Sequence, residues 1–196
     1  TNDVSPYIFN NYIEGNTQAN SNRPQINMGT TMTTEPIQII QNTIIGNRNL
    51  TQVGGIAISN LLGGVVDAII DDNIVKDNRY GISLNASSEG MDVVATGNEI
   101  RGNLWGITLQ GESSVNLGDN VDNIGENVFS QNGNGGVTYA LYNNTDNAFM
   151  AMHNCWDEEN VPNSIADAEA VIVHQNDISS LGLVTFDLVN CGFLSV

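Results

Sequence analysis

Five times along this chain an asparagine is followed five residues later by another, with an apolar residue two places after the first. The copies are Asn11–Asn16, Asn42–Asn47, Asn73–Asn78, Asn98–Asn103 and Asn127–Asn132, with Ile13, Ile44, Val75, Ile100 and Phe129 between them. The first asparagines are 31, 31, 25 and 29 residues apart, and "NCW" opens a sixth copy 27 residues later, at Asn154. Four copies are followed by a strand signal carrying glycine: GGIAI at 54–58, YGISL at 80–84, WGITL at 105–109 and GGVTYAL at 135–141. The chain holds 30 asparagines, but asparagines scattered through loops would not keep this spacing in five copies. It is a repeat protein, and the repeat governs the fold.

Runs such as IQII (37–40), DAIID (67–71) and DVVAT (92–96) alternate with period two, so the units are strands. A repeat of 25–31 residues built from short strands and tight turns is one coil of a parallel β-helix. The expected fold is all-β, a right-handed parallel β-helix of about six coils with a small C-terminal cap. Coils are expected over 1–156, truncated at the N-terminus, and a closing segment of the same domain over 157–196. Asparagine suits the corners because it tolerates left-handed backbone. Its amide also donates and accepts, so stacked copies can form a ladder. Asn11, Asn16, Asn42, Asn47, Asn73, Asn78, Asn98, Asn103, Asn127 and Asn132 are therefore expected to be structural turn residues.

Twenty-two acidic residues against five basic ones give a net charge of −17. That balance excludes nucleic acid and anionic membranes as partners and disfavours polyuronates. No run of 18 apolar residues exists, so membrane insertion is not expected. A neutral glycan remains compatible.

The repeats resemble the right-handed β-helix coils of the pectate-lyase-like superfamily. The segment from Val115 to Asp157, "VNLGDN…NVFSQN…NNTDNAFMAMHNCWD", and "AVIVHQNDISSLGLVTFD" (170–187) resemble the C-terminal part of secreted bacterial β-helix proteins of the DUF1565 type. The resemblance implies an exported, surface or periplasmic bacterial protein. The chain departs from it at Cys155, where an aromatic is common, and in lacking a proline after "VTF". Pectin hydrolases of the superfamily carry Asn-Thr-Asp, Asp-Asp, Gly-His-Gly and Arg-Ile-Lys motifs. Only Asp71-Asp72 matches here, and neighbouring strand residues point to opposite faces, so no catalytic residue is assigned.

Weaker signals lie elsewhere. Asp119, Asp122 and Glu126 have neither EF-hand nor β-roll spacing and read as a turn, so no metal or cofactor is expected. His174 and Asp177 lack an accompanying nucleophile, and the resemblance places them in the closing cap. Tyr80 and Trp105 hold the same place in successive copies, ahead of a glycine, with Arg79 and Arg101 nearby. Stacked one above the other, they would make a sugar-binding platform, or else merely shield a turn. Cys155 and Cys191 are either a disulfide or two buried thiols. With the resemblance placing Cys155 inward under a returning tail, a bond would contribute roughly 3–4 kcal/mol. Two function classes stay open: an exported scaffold that interacts with carbohydrate, and a polysaccharide lyase or glycoside hydrolase completed by missing N-terminal coils.

Overall fold

A computed structural model of the chain describes residues 5–156, 164–187 and 191; the remaining parts of the expected closing segment, 157–163, 188–190 and 192–196, lie outside the described residues. The fold is a parallel β-helix of about six turns, with three strand-bearing faces. The first face stacks Tyr7–Phe9, Ile37–Ile40, Val66–Asp71, Met91–Thr96 and Ser114–Asn116. The second stacks Tyr12–Glu14, Thr43–Ile45, Ile74–Lys76, Glu99–Arg101, Val128–Ser130 and Cys155–Trp156. The third stacks Ile26–Gly29, Ile56–Asn60, Tyr80–Ala86, Trp105–Gly111, Leu141–Asn144 and Ile172–Val173. Every pairing between these strands is parallel, so each residue lies over its counterpart one coil away. A pair formed by Phe149–Ala151 and Val184–Phe186, with the short helix Ile165–Glu169, closes the C-terminal end.

Alternation puts every second side chain inside. On the second face the inward file is Ile13, Ile44, Val75, Ile100, Phe129 and Trp156, and from Ile44 onward its members are at most 1% exposed. On the third face Ile56, Ile82, Ile107 and Leu141 do the same. Burying each such side chain stabilises the fold by roughly 1.5–3 kcal/mol. The second-face file ends in an aromatic stack, where the Phe129 and Trp156 rings are 4.7 Å apart and nearly parallel.

The asparagines work differently from the expectation. The left-handed residue is the one before each inward asparagine: Gln41, Asp72, Gly97, Glu126 and His153 all have φ between 53° and 64°. The asparagine then points inward, and its amide donates back to the carbonyl two residues earlier, as from Asn42 to Ile40, Asn73 to Asp71 and Asn98 to Thr96. The side chain closes the turn that its predecessor's backbone makes. Its carbonyl oxygen accepts from the asparagine of the preceding coil, both backbone and amide, at 2.8–3.0 Å from Asn11 through Asn42, Asn73, Asn98 and Asn127 to Asn154. The residue type is selected by its amide, which glycine lacks, rather than by its tolerance of positive φ.

A second file runs from Asn78 through Asn103 to Asn132. Asn16 and Asn47 were expected to extend it but are exposed. Gly46, unlike Asp77, Gly102 and Gln131, does not take the left-handed φ; Gly15 does, at 71°, yet Asn16 on the first coil is exposed all the same. Where the file stops, the Asn78 carbonyl oxygen is buried without a hydrogen-bond partner among the described residues. Cys155 is bonded to Cys191, with the Cα atoms 5.2 Å apart. It is not inward: Trp156 takes the inward place below Phe129, and Cys155 shares Val128's outward register, covered to 8% exposure.

Candidate functional site

The outward residues of the third face line a cleft of about 480 Å³. Two files form its floor. One runs from Asn27 through Ala57, Ser83 and Thr108 to Tyr142. The other runs from Ser59 through Asn85 and Gln110 to Asn144. Both follow from strand alternation, because the intervening residues Ile58, Leu84 and Leu109 are fully buried.

One wall is aromatic. Tyr80 and Trp105 are in register as expected, but they do not stack on each other. Trp105 stacks on Tyr139, with ring centres 4.1 Å apart, and on Tyr142 at 5.8 Å, both at 21°. Tyr80 lies instead over Gly54, where any Cβ would land on its ring. Burial pushes the Tyr80 phenol above its ordinary pKa, and the Arg79 charge partly opposes the shift. Arg79 lines the cleft, whereas Arg101 lies on the second face, where its guanidinium meets Glu99 at 2.8 Å. Three of the four expected residues therefore share the cleft. Tyr139, Tyr142 and the Ser59–Asn144 file were not anticipated. The file was readable by aligning the ends of the second strands, "AISN", "SLNA", "TLQG" and "YNNT".

Elsewhere the polar groups serve the fold. Asp71 accepts from the Thr96 hydroxyl at 2.7 Å, while Asp72 is an exposed left-handed turn residue. Asp119 accepts from the Asn123 amide, the backbone N–H groups of Val121, Asp122 and Asn123, and the Asn116 amide. Those bonds hold its carboxyl well below the usual range, with the Asn123 amide the largest contributor. The Asp177 carboxylate accepts from the His174 backbone N–H rather than the ring. The buried His174 ring instead accepts the Val184 N–H at Nδ1 and sets Nε2 2.8 Å from Glu169. Partial burial works to raise the Glu169 carboxyl, but hydrogen bonds with His174 and Asn176 outweigh it and hold the group below its ordinary value. Among the described residues no group of three or more His, Cys, Asp and Glu side chains could hold a metal ion.

Residues 1–98 match the family described as "Protein of unknown function (DUF1565)", half of the 196-residue chain. The chain belongs to the DUF1565 family. The match covers the first coils, not the 115–187 segment on which the sequence resemblance was most particular. It takes in Ser59, Arg79, Tyr80 and Asn85, while Trp105, Gln110, Tyr142 and Asn144 lie beyond it. No curated protein and no solved structure matches this DUF1565 chain.

Proposed function

We propose that this chain is an exported β-helix scaffold that binds a neutral glycan in the third-face cleft. The observation that carries the reading is the Trp105–Tyr142 stack beside outward polar side chains in one elongated cleft. Sugars offer apolar C–H faces to aromatic rings and hydroxyls to amides, so a glycan site combines both kinds of surface. The lining includes one cation, Arg79, whose N–H groups can donate to hydroxyl oxygens as well as to anions.

Binding is favoured over cleavage because no carboxylate or imidazole stands among the described lining residues. Glycoside hydrolysis ordinarily needs two carboxyl groups flanking the bond. Export is supported by the Cys155–Cys191 bond, since such bonds persist in oxidising compartments.

Calorimetric titration with neutral oligosaccharides tests the reading. Binding that is lost in Trp105→Ala, with the circular dichroism spectrum unchanged, is the expected result. Undiminished binding in that variant, or no binding of any neutral glycan by the parent chain, would sink it.

A further inference from the structure

The cleft floor is periodic. Ser59, Asn85, Gln110 and Asn144 occupy one register position on four successive coils. Each is therefore displaced from the next by one strand spacing, roughly 4.8 Å along the axis. The interior asparagines at the same interval bond one another. These four do not: none of their side chains has a hydrogen-bond partner among the described residues, although neighbours in a file are close enough to reach each other. Ser59 and Asn85 are partly exposed, and Gln110 and Asn144 are exposed. The result is a row of free hydroxyl and amide groups at a fixed repeat, with the Trp105–Tyr142 stack beside its last two members.

A site with a repeat selects a ligand with the same repeat. Mismatched steps would let one contact form and leave the next group unpaired, whereas matched steps add one contact per coil. Among neutral glycans the linkage decides the step. Equatorial β-1,4 bonds keep a pyranose chain straight, so its sugars follow one another along a line at a step of one ring length, comparable to one strand spacing. An α-1,4 chain curls and departs from a straight row after a residue or two.

From this we infer that the cleft takes an extended β-1,4-linked neutral glycan lying along the solenoid axis, one sugar per coil. One sugar stacks on the aromatic wall near Trp105 and Tyr142, and the next ones run towards Ser59 over Gln110 and Asn85. The inference rests on the proposed glycan-binding function and specifies its ligand class.

The experiment is a calorimetric length series of β-1,4-linked cello-, xylo- and chito-oligosaccharides from disaccharide to hexasaccharide, with malto-oligosaccharides as the α-1,4 comparison. The expected result is affinity for at least one β-1,4 series that tightens several-fold per added sugar, then levels once the four coils are filled. The doubly substituted Ser59→Ala, Asn85→Ala chain should lose the gain from the third and fourth sugars, while the disaccharide, held over Asn144 and Gln110, keeps its affinity. Both side chains lie on the outer surface, so its circular dichroism spectrum should match the parent's. If a neutral glycan binds with no length dependence, or malto-oligosaccharides bind equally well, the axial arrangement is overturned and glycan binding stands. Loss of disaccharide binding in the double variant likewise overturns the sugar-per-coil assignment. If none of these glycans binds, the β-1,4 assignment falls, and the glycan-binding reading falls with it only if a wider panel of neutral oligosaccharides is silent too.

Discussion

Two files of polar side chains climb the same solenoid at the same interval, and they are used in opposite ways. The file from Asn42 to Asn154 is buried, and each amide is consumed by a turn carbonyl on one side and the next asparagine on the other. The file from Ser59 to Asn144 is open to solvent and its side chains are unengaged within the described protein. The aromatic rings divide in the same manner: Phe129 and Trp156 stack inside, Trp105 and Tyr139 outside. Solvent access accounts for the difference. A buried amide without partners costs about 1–3 kcal/mol, so an inner file must be complete, while an outer one is completed by water and stays available.

The contrast can be broken by paired substitutions. The largest effect is expected at the inner aromatic stack: Phe129→Ala should lower stability by about 3–5 kcal/mol, the cost of a cavity in a closed core. Its outer counterpart Tyr139→Ala should cost about 1 kcal/mol, as loss of a partly exposed aromatic pair. Equal shifts in the denaturant midpoint would show that the outer stack is also structural.

The amides give the next contrast. Asn98 donates to the Ile70 and Thr96 carbonyls and to Asn127, and accepts from Asn73. Asn98→Ala should cost about 3 kcal/mol, since several buried groups lose partners at once. Asn85→Ala should stay within about 0.5 kcal/mol, as an outer substitution without partners does. Urea unfolding of the two variants side by side measures this directly, and a destabilised Asn85→Ala chain would mean that the outer file has a structural duty.

The smallest effect is expected at the cap, outside both files. The Glu169 carboxyl is held below its ordinary pKa by His174 and Asn176, despite burial. A depressed carboxyl contributes stability above its unfolded value, about 4.3, and that contribution is lost as pH falls through the lower folded value. The hydrogen-exchange protection factor of the Val184 amide, which bonds His174, should therefore fall on acidification below about pH 4.3. Glu169→Gln should remove that acid dependence and slightly lower the protection at neutral pH, where the ionised carboxyl's contribution is lost. An unaltered acid limb in the variant would place the titration elsewhere.

Much of the fold was legible because a solenoid writes its period into the chain. The spacing from Asn42 to Asn73 to Asn98 located the coils, and alternation in "DAIID" and "DVVAT" assigned inside and outside. The site was half legible. Tyr80 and Trp105 stood at equivalent places, but Trp105's neighbours Tyr139 and Tyr142 come from a coil whose glycine-rich connection, 133–136, disguises the register. Arg79 and Arg101 looked equivalent by adjacency, yet they end on different faces because a corner falls between Arg101 and Trp105.

What the sequence determined by itself was therefore periodic: the coil length, the identity of the inward file, and asparagine as its recurring member. These are local, since a two-residue alternation and a turn depend only on neighbours in the chain. Tertiary structure alone decided how each asparagine acts, with the residue before it making the left-handed turn and the amide bonding across coils. It also decided that Asn47 drops out of the second file, that Trp156 rather than Cys155 fills the last inward place, and that Trp105 stacks forward onto Tyr139 rather than back onto Tyr80. Each of those outcomes depends on which side chains from residues 25 or more positions apart meet in space, and packing between coils settles that.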